Sequence, residues 1–266
     1  MKIVPKRPEA TADISSARGT ASKEFWQLVL AAVVLLIALY FIIGFIVDFS
    51  VSRISFETEA KIFKHYKFSD IKQKTPEKVN HLKNAGTILE TLRTNKKVPP
   101  LPYHLMLIDT EKPNAFAFPG GTVGITTGLV EMLNDEVKIA FVIGHELGHF
   151  HNRDHLEGLG RAAGFGIVSA ILLDTGFGAK SFGNIIEFVL QRSYSQEREK
   201  KADQFGLELV YSVYGKIKGT DHLFRILNEE STLPEWAYMF STHPSPEERI
   251  SSLEKYALEL IGNRDI

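Results

Sequence analysis

The 266-residue chain predicts a mainly helical α+β fold with a small, edge-exposed β-sheet, preceded by one transmembrane helix. Three observations carry that prediction. Leu28 to Val47 is an uninterrupted run of twenty residues without a charge, long enough at about 1.5 Å per residue to cross the hydrocarbon core of a bilayer. Three short β-type segments lie between Tyr103 and Ile125, set off by Gly and Pro. Apolar residues at helical spacing dominate the remainder. The resulting organisation is an N-terminal tail over 1–25, a membrane helix over 26–47, a juxtamembrane spacer over 48–75 and one globular domain over 76–266.

Trp26 opens the span, where an interfacial aromatic is expected. The run is too long and too far from the N-terminus for a cleaved signal. Lys2, Lys6, Arg7, Arg18 and Lys23 precede it and Arg53, Lys61, Lys64 and Lys67 follow, so the charge bias is slight. A signal anchor with a cytoplasmic N-terminus places the domain outside the cytoplasm, in the periplasm or at the cell surface; a cytoplasmic domain is the open alternative. Pro76 starts an amphipathic helix that runs to about Thr94, with Val79, Leu82, Ile88, Leu89 and Leu92 near one face. Pro99, Pro100 and Pro102 end it.

Tyr103–Asp109, Ala115–Phe118 and Thr122–Ile125 read as strands, the last two joined by a Gly-Gly turn. Pro119 confines the middle strand to an edge. An exposed edge can take up an extended peptide as an added strand, which makes Asn114, Ala115, Phe116 and Ala117 candidate substrate-binding residues. Ala162–Leu173 is apolar but too short to span, and predicts a buried helix. A loop with three glycines follows over Asp174–Asn184. From Ile185 the pattern is helical and closes in a polar C-terminal helix.

Between these elements lies His145-Glu146-Leu147-Gly148-His149. Asn134, Asp135 and Glu136 form a helix start, and Val137, Ile139, Ala140, Phe141, Val142 and Ile143 make the following stretch apolar, so the segment is helical. Histidines four apart then share one face and can hold a zinc ion, with Glu146 placed to act as a base. A catalytic zinc needs a third protein ligand. His155 follows His149 by six residues and could return to the ion if the helix broke at Asn152. Glu199 is the rival, with Asp203 four residues on to accept a ligand imidazole's free N–H. Spacing alone leaves the two open.

Glu199 and the Ala202-Asp203 pair, fifty residues beyond His149, combine with the histidine motif in a pattern that resembles metallopeptidase family 48, and within it the single-span, OMA-like members. Asn114-Ala115-Phe116-Ala117-Phe118-Pro119-Gly120-Gly121, Thr126-Thr127-Gly128-Leu129 and Thr242-His243-Pro244-Ser245-Pro246-Glu247-Glu248-Arg249-Ile250 are similar to further segments of that family. The resemblance implies a zincin-type (gluzincin) protease domain over 76–266, with one Zn2+ per chain on His145, His149 and Glu199. It implies Glu146 as general base, with Asp203 and His243 beside the ligands. Gln196 departs from the arginine usual in the family.

That resemblance implies a membrane-anchored zinc metalloendopeptidase acting on unfolded or membrane and envelope proteins. The other reading is a membrane-tethered, chaperone-like binding protein whose zinc is structural, with His151 or His155 closing the site. Glu146 argues against it, because a closed site needs no base. The formal net charge is −1 and no basic cluster is interleaved with aromatics, which excludes the footprint of a nucleic-acid partner. The absence of cysteine excludes disulfides, thiolate ligands and a cysteine nucleophile.

Overall fold

The computed structural model describes residues 14–64, 80–172, 194–215 and 246–262. The chain divides into two compact units, Met1–Ile46 and Val47–Ile266. Helix α1 (Ile14–Val51) supplies the first. No proline interrupts it, so the helix runs past both ends of the predicted span. Its apolar part, Ser22–Val51, is the one helix among the described residues long and apolar enough to cross a membrane. Leu28, Leu35, Phe41 and Phe45 are exposed along it, a surface suited to lipid.

The second unit holds α2 (Phe56–Phe63), α3 (Asn80–Leu92), β1 (His104–Ile108), β2 (Ala115–Phe118), β3 (Thr122–Thr126), α4 (Thr127–Leu133), α5 (Glu136–Asn152), α6 (Asp154–Leu172), α7 (Gln196–Tyr214) and α8 (Pro246–Gly262). The sheet order is β1-β3-β2. β1 runs parallel to β3, and β2 antiparallel to it.

Register divides the sheet into two faces. Leu105, Val123 and Ala117 form one row, and Leu107, Ile125 and Ala115 the next. These rows join Leu89, Leu92, Leu129, Ile143, Leu147 and Leu207 in the main core. On the other face Met106, Gly124 and Phe116 align, and Met106, Phe116 and Phe118 pack with Leu159 and Ala162 of α6. A Cβ on Gly124 would lie 2.2 Å from the Phe116 ring; the ring fills the space a side chain there would need. β2 is an edge strand, as Pro119 requires, yet all four of its side chains are buried because helices cover both faces.

Two expectations change. The segment over 48–75 is not simply a spacer where it is described. Asp48 pairs with Arg161 of α6 at 2.6 Å, and α2, capped by the Ser55 hydroxyl accepting from Thr58 N at 3.1 Å, packs Phe63 edge-on against Phe118 with ring centroids 5.9 Å apart. The apolar stretch from Ala162 belongs to a longer helix that starts at Asp154. It is not fully buried: Ile167 is 46% exposed, since one side alone meets the sheet. The predicted helix start at Pro76 and the loop over 174–184 lie outside the described residues.

Candidate metal centre

Helix α5 begins where Asp135 accepts from Lys138 N at 3.0 Å, which satisfies an otherwise orphaned amide. It ends at Arg153, in the left-handed region with φ 66°. Glycines on its buried side admit α7 to backbone contact. A Cβ on Gly148 would stand 2.8 Å from Ala202 Cα, and one on Gly206 would stand 2.8 Å from His145 N. Gly144 and Gly148 on α5 thus face Ala202 and Gly206 on α7, and this closeness lets short carboxylate side chains reach the histidines.

His145 Nε2 and His149 Nε2 lie 3.1 Å apart. Glu199 Oε2 is 3.5 Å from the first and Glu199 Oε1 is 3.5 Å from the second. One ligand atom from each of the three residues lies within 4.8 Å of the others, and all three residues are buried. His145 Nδ1 meets Asp203 Oδ1 at 2.8 Å and His149 Nδ1 meets Asp154 Oδ2 at 2.9 Å. Carboxylates that accept both Nδ1–H groups leave both Nε2 lone pairs for a metal. Two imidazoles and a carboxylate are also the donor types zinc takes with a position to spare. The residues fit the ion.

Without the ion the histidines divide a proton unequally. Burial pushes His149 down, but its hydrogen bonds to Asp154 and Glu199 and the charges of Glu199 and Glu146 raise it to about 10. Burial pushes His145 down, and its carboxylate contacts do not overcome that. Two imidazolium rings at this separation repel, so one proton serves the pair.

Glu146 is 1% exposed on α5 between the two histidines. His155 is not brought to this centre. Its Nδ1 donates to the His149 carbonyl at 3.2 Å and its Nε2 meets Glu59 Oε1 at 2.8 Å. The chain does reverse after α5, but at Arg153 rather than at Asn152, and it turns His155 toward α2. His151 stacks on Phe205 with centroids 4.7 Å apart and faces the Lys97 carbonyl. Asn114 is taken up locally: its Oδ1 accepts from Ala115 N at 3.0 Å. Ala115 and Ala117 point into the main core and Phe116 into the second cluster. His243 lies outside the described residues.

Two residues at the centre escaped the sequence reading. Asp154 is the carboxylate for His149. An acidic residue just past the end of a histidine-bearing helix was the available signal. Tyr194 stacks on the His149 ring with centroids 4.1 Å apart and 27° between planes. Burial, then the charges of Glu146, Asp154 and Glu199, push its phenol well above the ordinary range and keep it neutral. Arg198 supplies the cation of this segment: its Nε lies 3.4 Å from Asp154 Oδ1 and its guanidinium also pairs with Glu157. Gln196 itself makes an exposed first turn.

The profile of Peptidase family M48 matches residues 82–257. The chain belongs to peptidase family M48. Its M48 region is similar to the mitochondrial metalloendopeptidase OMA1 of Danio rerio, 26% identical over 180 residues, covering 60% of this chain and 37% of that protein. It is similar to the metalloprotease LoiP of Escherichia coli strain K12, 26% identical over 215 residues, with 71% of this chain and 82% of LoiP covered. A protease HtpX homolog of Thermodesulfovibrio yellowstonii is 31% identical over 204 residues, covering 59% of this chain and 70% of the relative. The chain spans about a third of the length of the OMA1 sequences it matches.

Proposed function

We propose that this M48 protein is a membrane-anchored, zinc-dependent metalloendopeptidase that hydrolyses internal peptide bonds of unfolded or membrane and envelope proteins, with its catalytic domain outside the cytoplasm. The observation that carries the reading is the meeting of His145 Nε2 and His149 Nε2 of α5 with the Glu199 carboxylate of α7, with the buried Glu146 on α5 between the two histidines. His145, His149 and Glu199 would hold the zinc, which when bound would supply a Lewis acid for the scissile carbonyl and the attacking water. Glu146 takes a proton from the attacking water as the new C–O bond forms. It returns that proton to the amide nitrogen as the C–N bond breaks. Asp203 and Asp154, by accepting from Nδ1, hold the two imidazoles in the tautomer whose Nε2 can ligate the ion.

β2 supports a backbone-directed mode of substrate binding, because its side chains are buried and its position is at a sheet edge. An extended peptide would add as a strand beside residues 114–117. A structural zinc site in a chaperone-like protein would need a fourth ligand, and both His151 and His155 are engaged elsewhere. The deciding variant is Glu146→Gln in the full chain. It retains one zinc and loses casein cleavage, whereas His149→Ala and Glu199→Ala lose both. A Glu146→Gln protein that cleaves casein at the wild-type rate refutes the assignment. On the proposed orientation, protease added to intact cells or spheroplasts removes a C-terminal tag; a tag that survives until the membrane is broken reverses it.

A further inference from the structure

Glu59 is 0% exposed, and the proposed hydrolysis makes no use of it. A buried carboxylate is costly unless its oxygens are well satisfied, and here they are. Oε1 accepts from the Gly120 amide at 2.9 Å and meets His155 Nε2 at 2.8 Å, and Oε2 accepts from Arg153 Nη1 at 2.9 Å. Burial pushes the carboxyl up, but these partners, His155 foremost, outweigh it and hold the group below the ordinary range.

Arg153 and His155 flank Asp154, the residue that accepts the His149 Nδ1–H. Arg153 is the left-handed C-cap of α5, its N–H donating back to the Phe150 carbonyl at 3.2 Å, and its side chain is held by α2 and the link before it. The Arg153 guanidinium also donates to the Ile54 carbonyl, and lies over the Phe56 ring 4.2 Å from its centroid. His155 donates back to the His149 carbonyl at 3.2 Å. Glu59 therefore grips the chain on both sides of the residue that orients the second histidine.

We propose that Glu59 is a positioning residue for the metal centre: by holding Arg153 and His155 it sets Asp154 against His149 and so aims the His149 Nε2. The segment that follows the membrane helix becomes part of the apparatus that binds the ion. The inference rests on the reading of His145, His149 and Glu199 as a zinc site, but not on peptidase activity.

The test uses the full chain in detergent micelles, with zinc affinity measured against a chromophoric chelator. Removing a direct orienting carboxylate lowers metal affinity by about ten- to a hundredfold. Asp154→Asn should fall in that range and Glu59→Gln near its lower end, about tenfold. The double variant should bind zinc no more weakly than Asp154→Asn alone, because both changes act on one contact. Losses that multiply, or wild-type affinity in Glu59→Gln whatever its melting temperature, overturn the proposal. In the metal-free protein, amides of residues 153–156 should exchange faster in Glu59→Gln than in the wild type; unchanged exchange overturns it equally. With casein, kcat should drop, KM should hold, and added zinc should restore kcat, which a merely structural role would not give. If Glu59→Gln does not fold, Arg153→Lys and His155→Asn each break one arm, and wild-type zinc affinity in both is the refuting result. A wild-type chain that binds zinc but leaves casein intact removes the peptidase reading and leaves the affinity test standing.

Discussion

Each imidazole of the proposed zinc site has its own carboxylate, Asp203 for His145 and Asp154 for His149, and a proton held on His149 would make metal binding pH-dependent. Metal and proton compete for the same nitrogen. Burial works against a proton on His149, but the Asp154 and Glu199 contacts favour one, so apparent zinc affinity should rise as pH increases from neutrality. Calorimetry in buffers of different ionisation heat should find about one proton released per zinc at pH 7; none released would sink the assignment of that proton. Tyr194→Phe should keep zinc affinity, since the ring stays on His149, whereas Tyr194→Leu removes a ring contact worth about 0.5–1.5 kcal/mol. The same chelator competition reads both. His145, Glu146 and His149 were legible because four-residue spacing places two rings on one helical face, and Asp203 because it repeats that spacing from Glu199. Asp154 was passed over although its place just after the helix was a signal, and Tyr194 offered none. Their roles depend on a reversal at Arg153 and on where the chain enters α7, and neither follows a period.

The seam between α5 and α7 sets how far the Glu199 side chain must reach. Gly148→Ala would put a Cβ 2.8 Å from Ala202 Cα, backbone that cannot swing aside, so the helices must part. The expected cost is about 1–3 kcal/mol, read as a lower melting temperature, together with weaker zinc binding. Gly158→Ala is the control on α6. Among the described residues nothing lies within 4 Å of its Cβ position, and replacing a helical glycine there should stabilise by about 0.5–1 kcal/mol with zinc affinity unchanged. The long helices and the three strands could be read from apolar spacing and from Gly and Pro punctuation. α4 could not, because its seven residues are too few to display a period. Helix α2 falls in the stretch read as a juxtamembrane spacer, and no spacing in that stretch singles out Glu59. Only the approach of the Gly120 amide and of Arg153, distant in sequence, makes it an interior group.

For the whole molecule, the exposed apolar length of α1 predicts that the chain stays in the membrane fraction through an alkaline carbonate wash; release into the supernatant would contradict a spanning helix. Composition and the uncharged run made this much plain, while the orientation rested on a charge bias too slight to decide it. The strand β2 has a broader consequence. Its side chains are committed inward, so a guest laid along it would present its amides and carbonyls to a border that does not distinguish one residue from another. Selection would then fall on slackness. A protein would be cut in proportion to the time one of its segments spends pulled loose, and tightening that protein's own fold would protect it better than rewriting the bond at which it is cut.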